Sequence, residues 1–133
     1  MRRLPVAILF ILFSCTDKSI QSRASEADGI EIIDGATHFS HIETRQQIVG
    51  EFKKAFDRPA DTDDDCTAQG TVLFRKGDKK ILEVGYYKDA TACNVFIVEE
   101  KGKKTCYRYS FNVLAYLGEY FQKLKQEHNA RHN

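Results

Sequence analysis

Apolar residues recur along the chain with two different periods, and each change of period marks an element. Over 70–76 they alternate, with Val72 and Phe74 on one side and Leu73 on the other, which is the pattern of a half-buried strand. Gly77-Asp78 follows as a hairpin turn. Residues 80–88 return with Leu82, Val84 and Tyr86 on one face, and Asp89-Ala90 turns the chain again. A third strand is predicted over 93–99, where Val95 and Ile97 oppose Phe96 and Val98. Lys101-Gly102 makes a turn into a fourth strand over 104–110, in which Cys106, Arg108 and Ser110 alternate against Tyr107 and Tyr109. None of these connections is long enough for a parallel crossover, so the four strands form an antiparallel meander. Residues 29–35 alternate briefly between glycines and read either as a short strand or as an ordered lead-in.

A helical period flanks the meander. Over 39–56, Ile42, Ile48, Val49, Phe52, Ala55 and Phe56 fall roughly on one face, Ser40 with Glu43 has the spacing of a capping box, and Asp57-Arg58-Pro59 ends the run. A second helix is predicted from Phe111 or Asn112 to about Glu127, with Leu114, Leu117, Phe121 and Leu124 at helical spacing. The fold expected is α+β: an N-terminal helix, a four-stranded antiparallel meander and a C-terminal helix, with both helices on one sheet face. Residues 29–133 make one domain.

The first residues follow another pattern. Arg2 and Arg3 precede an uncharged apolar run from Leu4 to Phe13, too short for the roughly 20 residues of a membrane span. It has the length of a secretory signal core. Its end, Leu12-Phe13-Ser14-Cys15, resembles the lipobox of bacterial lipoprotein signals, with an apolar residue three before the cysteine and a small one just before it. Phe13 is bulkier than is usual in that family. The resemblance covers about fifteen residues and implies removal of residues 1–14 as a signal peptide and acylation of Cys15. Residues 15–28 are polar and small, and read as a flexible tether. The expected place is the bacterial cell envelope, on the periplasmic side of the inner or outer membrane.

Removing residues 1–14 takes Arg2 and Arg3 away and leaves 18 basic against 19 acidic side chains. That balance argues against a nucleic-acid partner, which needs a basic surface. Cys66, Cys93 and Cys106 remain, and export permits disulfides. Strands one and three of a meander run in the same direction, so Cys66 and Cys93 should meet at one sheet end. That makes Cys66–Cys93 the favoured bridge, with Cys106 left free. Cys93–Cys106 and Cys66–Cys106 stay open as alternatives.

No catalytic set emerges. The acidic link holds Asp61, Asp63, Asp64 and Asp65, but Cys66, Thr67 and Val72 break the pattern of a calcium loop. His38 and His41 lie three apart with only Glu43 nearby, short of a zinc set. No Gly-x-Ser-x-Gly and no phosphate loop occurs. The chain is therefore read as a non-enzyme without metal or cofactor. Partner binding is placed on Tyr87, Tyr107 and Tyr109, flanked by Arg75 and Arg108, together with Asp61, Asp63, Asp64 and Asp65, because aromatics with a polar handle suit binding surfaces. The function expected is a lipid-anchored envelope protein that binds and neutralises a protein partner, of inhibitor or toxin-immunity type. A carrier or sensor of a small apolar ligand, and a structural envelope lipoprotein, stand as alternatives.

Overall fold

The computed structural model describes residues 19–61, 67–89 and 94–132. In chain order its elements are α1 (Ile20–Ser25), β1 (Gly29–Asp34), β2 (Ser40–Glu43), α2 (Gln46–Lys53), a 3-10 turn (Lys54–Asp57), β3 (Pro59–Ala60), β4 (Gly70–Lys76), β5 (Lys79–Lys88), β6 (Asn94–Glu100), β7 (Lys103–Arg108), α3 (Phe111–Ala115), a π-helical turn (Tyr116–Tyr120) and α4 (Phe121–Arg131).

The expected four-stranded meander is corrected. The sheet has seven strands in the order β2-β1-β4-β5-β6-β7-β3, and every pairing is antiparallel. Strands β4 to β7 lie where alternation placed them, give or take two residues. The additions are at the edges. β1 pairs with β4 on one side and β2 on the other, and β3 closes the far edge against β7. Each satisfies a row of backbone groups that a bare edge would leave unpaired.

β2 occupies residues expected to open a helix. Its side chains alternate instead: Ile42 is 54 % exposed while Glu43 is buried. Glu43 does not cap a helix at Ser40; it accepts the backbone N–H of Arg45 at 3.0 Å, just ahead of α2. The helix that remains is short, with Val49 and Phe52 inward, and it tightens into the 3-10 turn that buries Ala55 and Phe56 before Pro59.

The supposed tether is structured from Ser19. Ser19 caps α1 by accepting the Ser22 N–H, and Ala24 and Ala27 enter the main core. Arg23 forms a bidentate pair with Glu100 at 2.6 and 2.7 Å, and Asp28 accepts the Gly77 N–H in the β4–β5 turn. The signal residues 1–14 and Cys15 lie outside the described residues.

One apolar cluster joins the helices to a single sheet face, through Ile30, Ile32, Val72, Phe74, Val84 and Phe96 on the sheet side. Phe96 is its centre, with ring centroids of Phe52, Phe56, Phe74 and Tyr109 between 5.0 and 6.3 Å away. Fully burying such side chains contributes about 1.5–3 kcal/mol each. Among the described residues there is no disulfide, and the thiol of Cys106 is free and buried, which corrects the expectation of a disulfide-bearing domain. Cys66 and Cys93 lie outside the described residues. Membrane contact through a spanning helix is corrected likewise: among the described residues no helix is long and apolar enough to cross a membrane.

Candidate functional site

Among the described residues no helix lies on the second sheet face, and the strand register sets what stands on it. One row crosses all seven strands: Ser40, Ile33, Thr71, Gly85, Ile97, Cys106 and Ala60. Beside it runs Ile42, Glu31, Leu73 and Glu83. On its other side stand Tyr87, Val95 and Arg108.

The two halves of this face differ. Toward β6 and β7, Val95, Ile97 and Cys106 are buried in a small cluster with Ala60 and Tyr87. Ala68, two residues before β4, lies over Gly85 so closely that a Cβ there would come within 2.7 Å of the Ala68 side chain. The glycine gives the incoming chain room to lie on the sheet. Toward β1, β2 and β4 the face is more open. Ile33 and Leu73 are half-buried and Ile42 exposed. Glu31 and Arg75 pair across the strands at 2.7 Å, and Lys80 holds Glu83 at 3.0 Å. The result is a compact apolar strip bordered by charges of both signs.

The structure separates the residues assigned to partner binding. Tyr87 and Arg108 share the open face, on either side of Val95. Arg75 is on that face too, but toward the opposite end of the strands, on the order of 20 Å away by strand rise. Tyr107 belongs to the helix-covered side, edge-on to Phe56 at 5.2 Å. Tyr109 is 4 % exposed and part of the core, where its hydroxyl donates to the Tyr87 carbonyl at 2.7 Å. Asp61 is exposed at the end of β3, and Asp63, Asp64 and Asp65 lie outside the described residues. Tyr107 and Tyr109 are thus part of the packing, and the apolar residues on the open half of the second face are Ile33, Ile42 and Leu73. Ile33 was visible in the alternation of 29–35. Ile42 was hidden because helical spacing assigned it inward.

His38 is exposed in the β1–β2 turn at φ 61°. His41 lies on the helix-covered side of β2 and meets the Tyr120 ring at 6.1 Å. Nearby, Glu43 is 4 % exposed and accepts from the Arg45 guanidinium at 2.6 and 3.0 Å and from the Tyr116 hydroxyl at 3.0 Å. The Arg45 bonds, working against burial and aided by the Arg45 N–H and Tyr116, bring the Glu43 pKa down to about 2. Every acceptor direction of this carboxylate is directed at a neighbour within the fold. It serves as a pin between β2 and the C-terminal helical segment.

No protein-family model matches the chain, and neither does any curated protein or solved structure.

Proposed function

We propose that the chain is an exported, lipid-anchored envelope protein whose domain binds a protein partner through the open half of its sheet and blocks it, as an inhibitor or toxin-immunity protein does. The observation that carries this reading is the strip of Ile33, Leu73 and Ile42 beside the Glu31–Arg75 pair, on a face that no described helix covers. Apolar centres with a charged rim are how protein interfaces are commonly built. The rim's mixed charge suits a partner with complementary charges and sets its orientation. A carrier of apolar ligands fits less well, because the rings of Phe52, Phe56, Phe74 and Phe96 pack against one another where such a ligand would have to enter.

The anchor rests on Leu12-Phe13-Ser14-Cys15. Four peptide steps separate Cys15 from Ser19, where the described fold starts, and each spans at most about 3.6 Å. An acylated Cys15 therefore holds the domain against the membrane surface, so the partner must be met there.

Two measurements test the reading separately. Mass spectrometry of the membrane fraction should find the chain starting at an acylated Cys15, and an unmodified thiol on an intact N-terminus would refute the anchor. A photo-crosslinking residue at Leu73 should capture one defined envelope protein, whose activity falls on adding the domain. The same probe at Lys123, exposed on α4, should not. Equal capture from both positions would refute the binding face.

A further inference from the structure

Three tyrosines are buried in the core: Tyr86, Tyr109 and Tyr116. Two of them place the hydroxyl on a partner, Tyr109 on the Tyr87 carbonyl and Tyr116 on Glu43. Tyr86 differs. Its side chain is 1 % exposed, yet no hydrogen bond joins its hydroxyl to a described residue. Nor is the hydroxyl sealed in, because Tyr86 lines a cleft of about 390 Å³ between the sheet and α4. The hydroxyl thus faces the cleft without a protein partner and is free to donate to whatever enters it.

The fold is arranged to put it there. Asp34, Gly70 and Tyr86 stand side by side on β1, β4 and β5. The Tyr86 ring lies across Gly70, where a Cβ would sit 2.4 Å from the ring edge. The rest of the wall comes from Ala36, Gln69, Lys88, Gln122 and Lys125. Gln69 is pinned: its Oε1 accepts the Lys88 N–H at 3.1 Å, which leaves its side-chain amide hydrogens to spare. Lys125 donates to Asp34 Oδ1 at 3.2 Å, and Thr37 gives Oδ2 two further hydrogen bonds. Burial works to raise the Asp34 pKa, but these bonds outweigh it and hold the group ionised. Asp34 is thus occupied and matched by Lys125, while Lys88 has no carboxylate partner among the described residues. Burial, then the charge of Asp34, pushes the Tyr86 pKa up to about 12, so the phenol keeps its proton and remains a donor.

The geometry points to a binding site for a small oxyanion, a carboxylate or phosphate group, held by the Tyr86 hydroxyl, the Lys88 ammonium and the Gln69 amide in the cleft under α4. Such donors are neutral or cationic and spare, and the one acid in the wall is already compensated. Charge-assisted hydrogen bonds to an oxyanion are the strong kind, and they fix its orientation. This site is separate from the open sheet face and does not depend on the anchor or on a protein partner.

The experiment titrates the full chain with sodium phosphate and, separately, with sodium acetate, against sodium chloride at matched ionic strength, and follows the thermal midpoint and calorimetric heat. At least one oxyanion should give a saturable rise that chloride does not. Tyr86→Phe and Lys88→Gln should each weaken that affinity about tenfold, and Lys103→Gln, on the distant β6–β7 hairpin, should leave it unchanged. Saturation by phosphate alone or by acetate alone identifies the group. A non-saturating response to both anions, or affinities untouched in both cleft variants, overturns the proposal. Tyr86→Phe keeps the ring over Gly70, and Lys88→Gln removes a surface charge, so a loss of folding in one leaves the other to decide.

Discussion

The Tyr116 hydroxyl donates to the Glu43 carboxylate at 3.0 Å and so joins the edge strand β2 to the π-helical turn between α3 and α4. The two residues are 73 positions apart in sequence. A hydrogen bond to a charged acceptor contributes about 1.5–3 kcal/mol, and here the hydroxyl is also taken from water. Tyr116→Phe should lower stability by that amount in chemical denaturation. The T-shaped packing of the ring on Phe52, at 5.6 Å, survives the change. A loss under about 0.5 kcal/mol would show that water replaces the bond.

The same carboxylate sets an acid limit. Its pKa falls from 4.5 to about 2 on folding, so the folded state favours the ionised form. The stabilisation is fully present above pH 4.5 and is lost as pH falls through about 2. A shift of this size corresponds to roughly 3 kcal/mol. Glu43→Gln should therefore be less stable than the parent at pH 7 and close to it near pH 2. Denaturation midpoints across that range check this, and a constant difference at every pH would refute it. Glu51 and Glu100 are also held below their ordinary values by hydrogen bonds from Lys54 and Arg23, against burial, so some acid sensitivity should remain in the variant.

The boundary of the folded domain is equally open to test. Ala24 and Ala27 are buried, and Asp28 bonds both to the Arg75 carbonyl and to Gly77. Removing residues 1–28 should cost about 2–4 kcal/mol, from lost methyl burial and two or three hydrogen bonds. Removing residues 1–18 should cost far less. If both truncations unfold at the same denaturant concentration, α1 contributes nothing and the segment behaves as a tether after all.

What the sequence made legible follows from the size of each local signal. Strands β4 to β7 were readable because alternation persists over six to ten residues and two of the three turns between them carry glycine. Gly77 at φ 59° and the Lys101-Gly102 pair at φ 54° and 74° adopt the left-handed backbone that such hairpins require. The edge strands were not readable: β2 has four residues and β3 two, too few for a period. In β2, moreover, the inward positions are His41 and Glu43 rather than apolar residues. Their burial depends on Tyr116 and Tyr120, which come from elsewhere in the chain. For α1 the obstacle was composition. Its buried side chains are alanines, which contribute area without a hydrophobic stripe. On the open face, Tyr87 and Arg108 could be placed from strand alternation; the same alternation sets Tyr107 and Tyr109 opposite Arg108, on the side where the structure packs them, so the four could not share one binding face.

Two glycines with the same side chain and opposite surroundings make the last prediction. At Gly70 a Cβ would stand 2.4 Å from the Tyr86 ring and 2.5 Å from the Ile33 carbonyl oxygen. The ring can rotate away, but the oxygen belongs to the β1–β4 ladder and cannot. Gly70→Ala should therefore cost about 1–3 kcal/mol, as overpacking does. Adding Tyr86→Leu should recover only part of it, because the backbone contact persists. Gly50 lies within α2 with nothing inside 4 Å of its would-be Cβ. There the alanine only reduces the freedom of the unfolded chain and improves helix propensity, so Gly50→Ala should stabilise by up to about 1 kcal/mol. Urea denaturation of the two single variants and the double variant measures all three. Gly70→Ala matching the parent would mean that β1 and β4 sit farther apart than the structure places them.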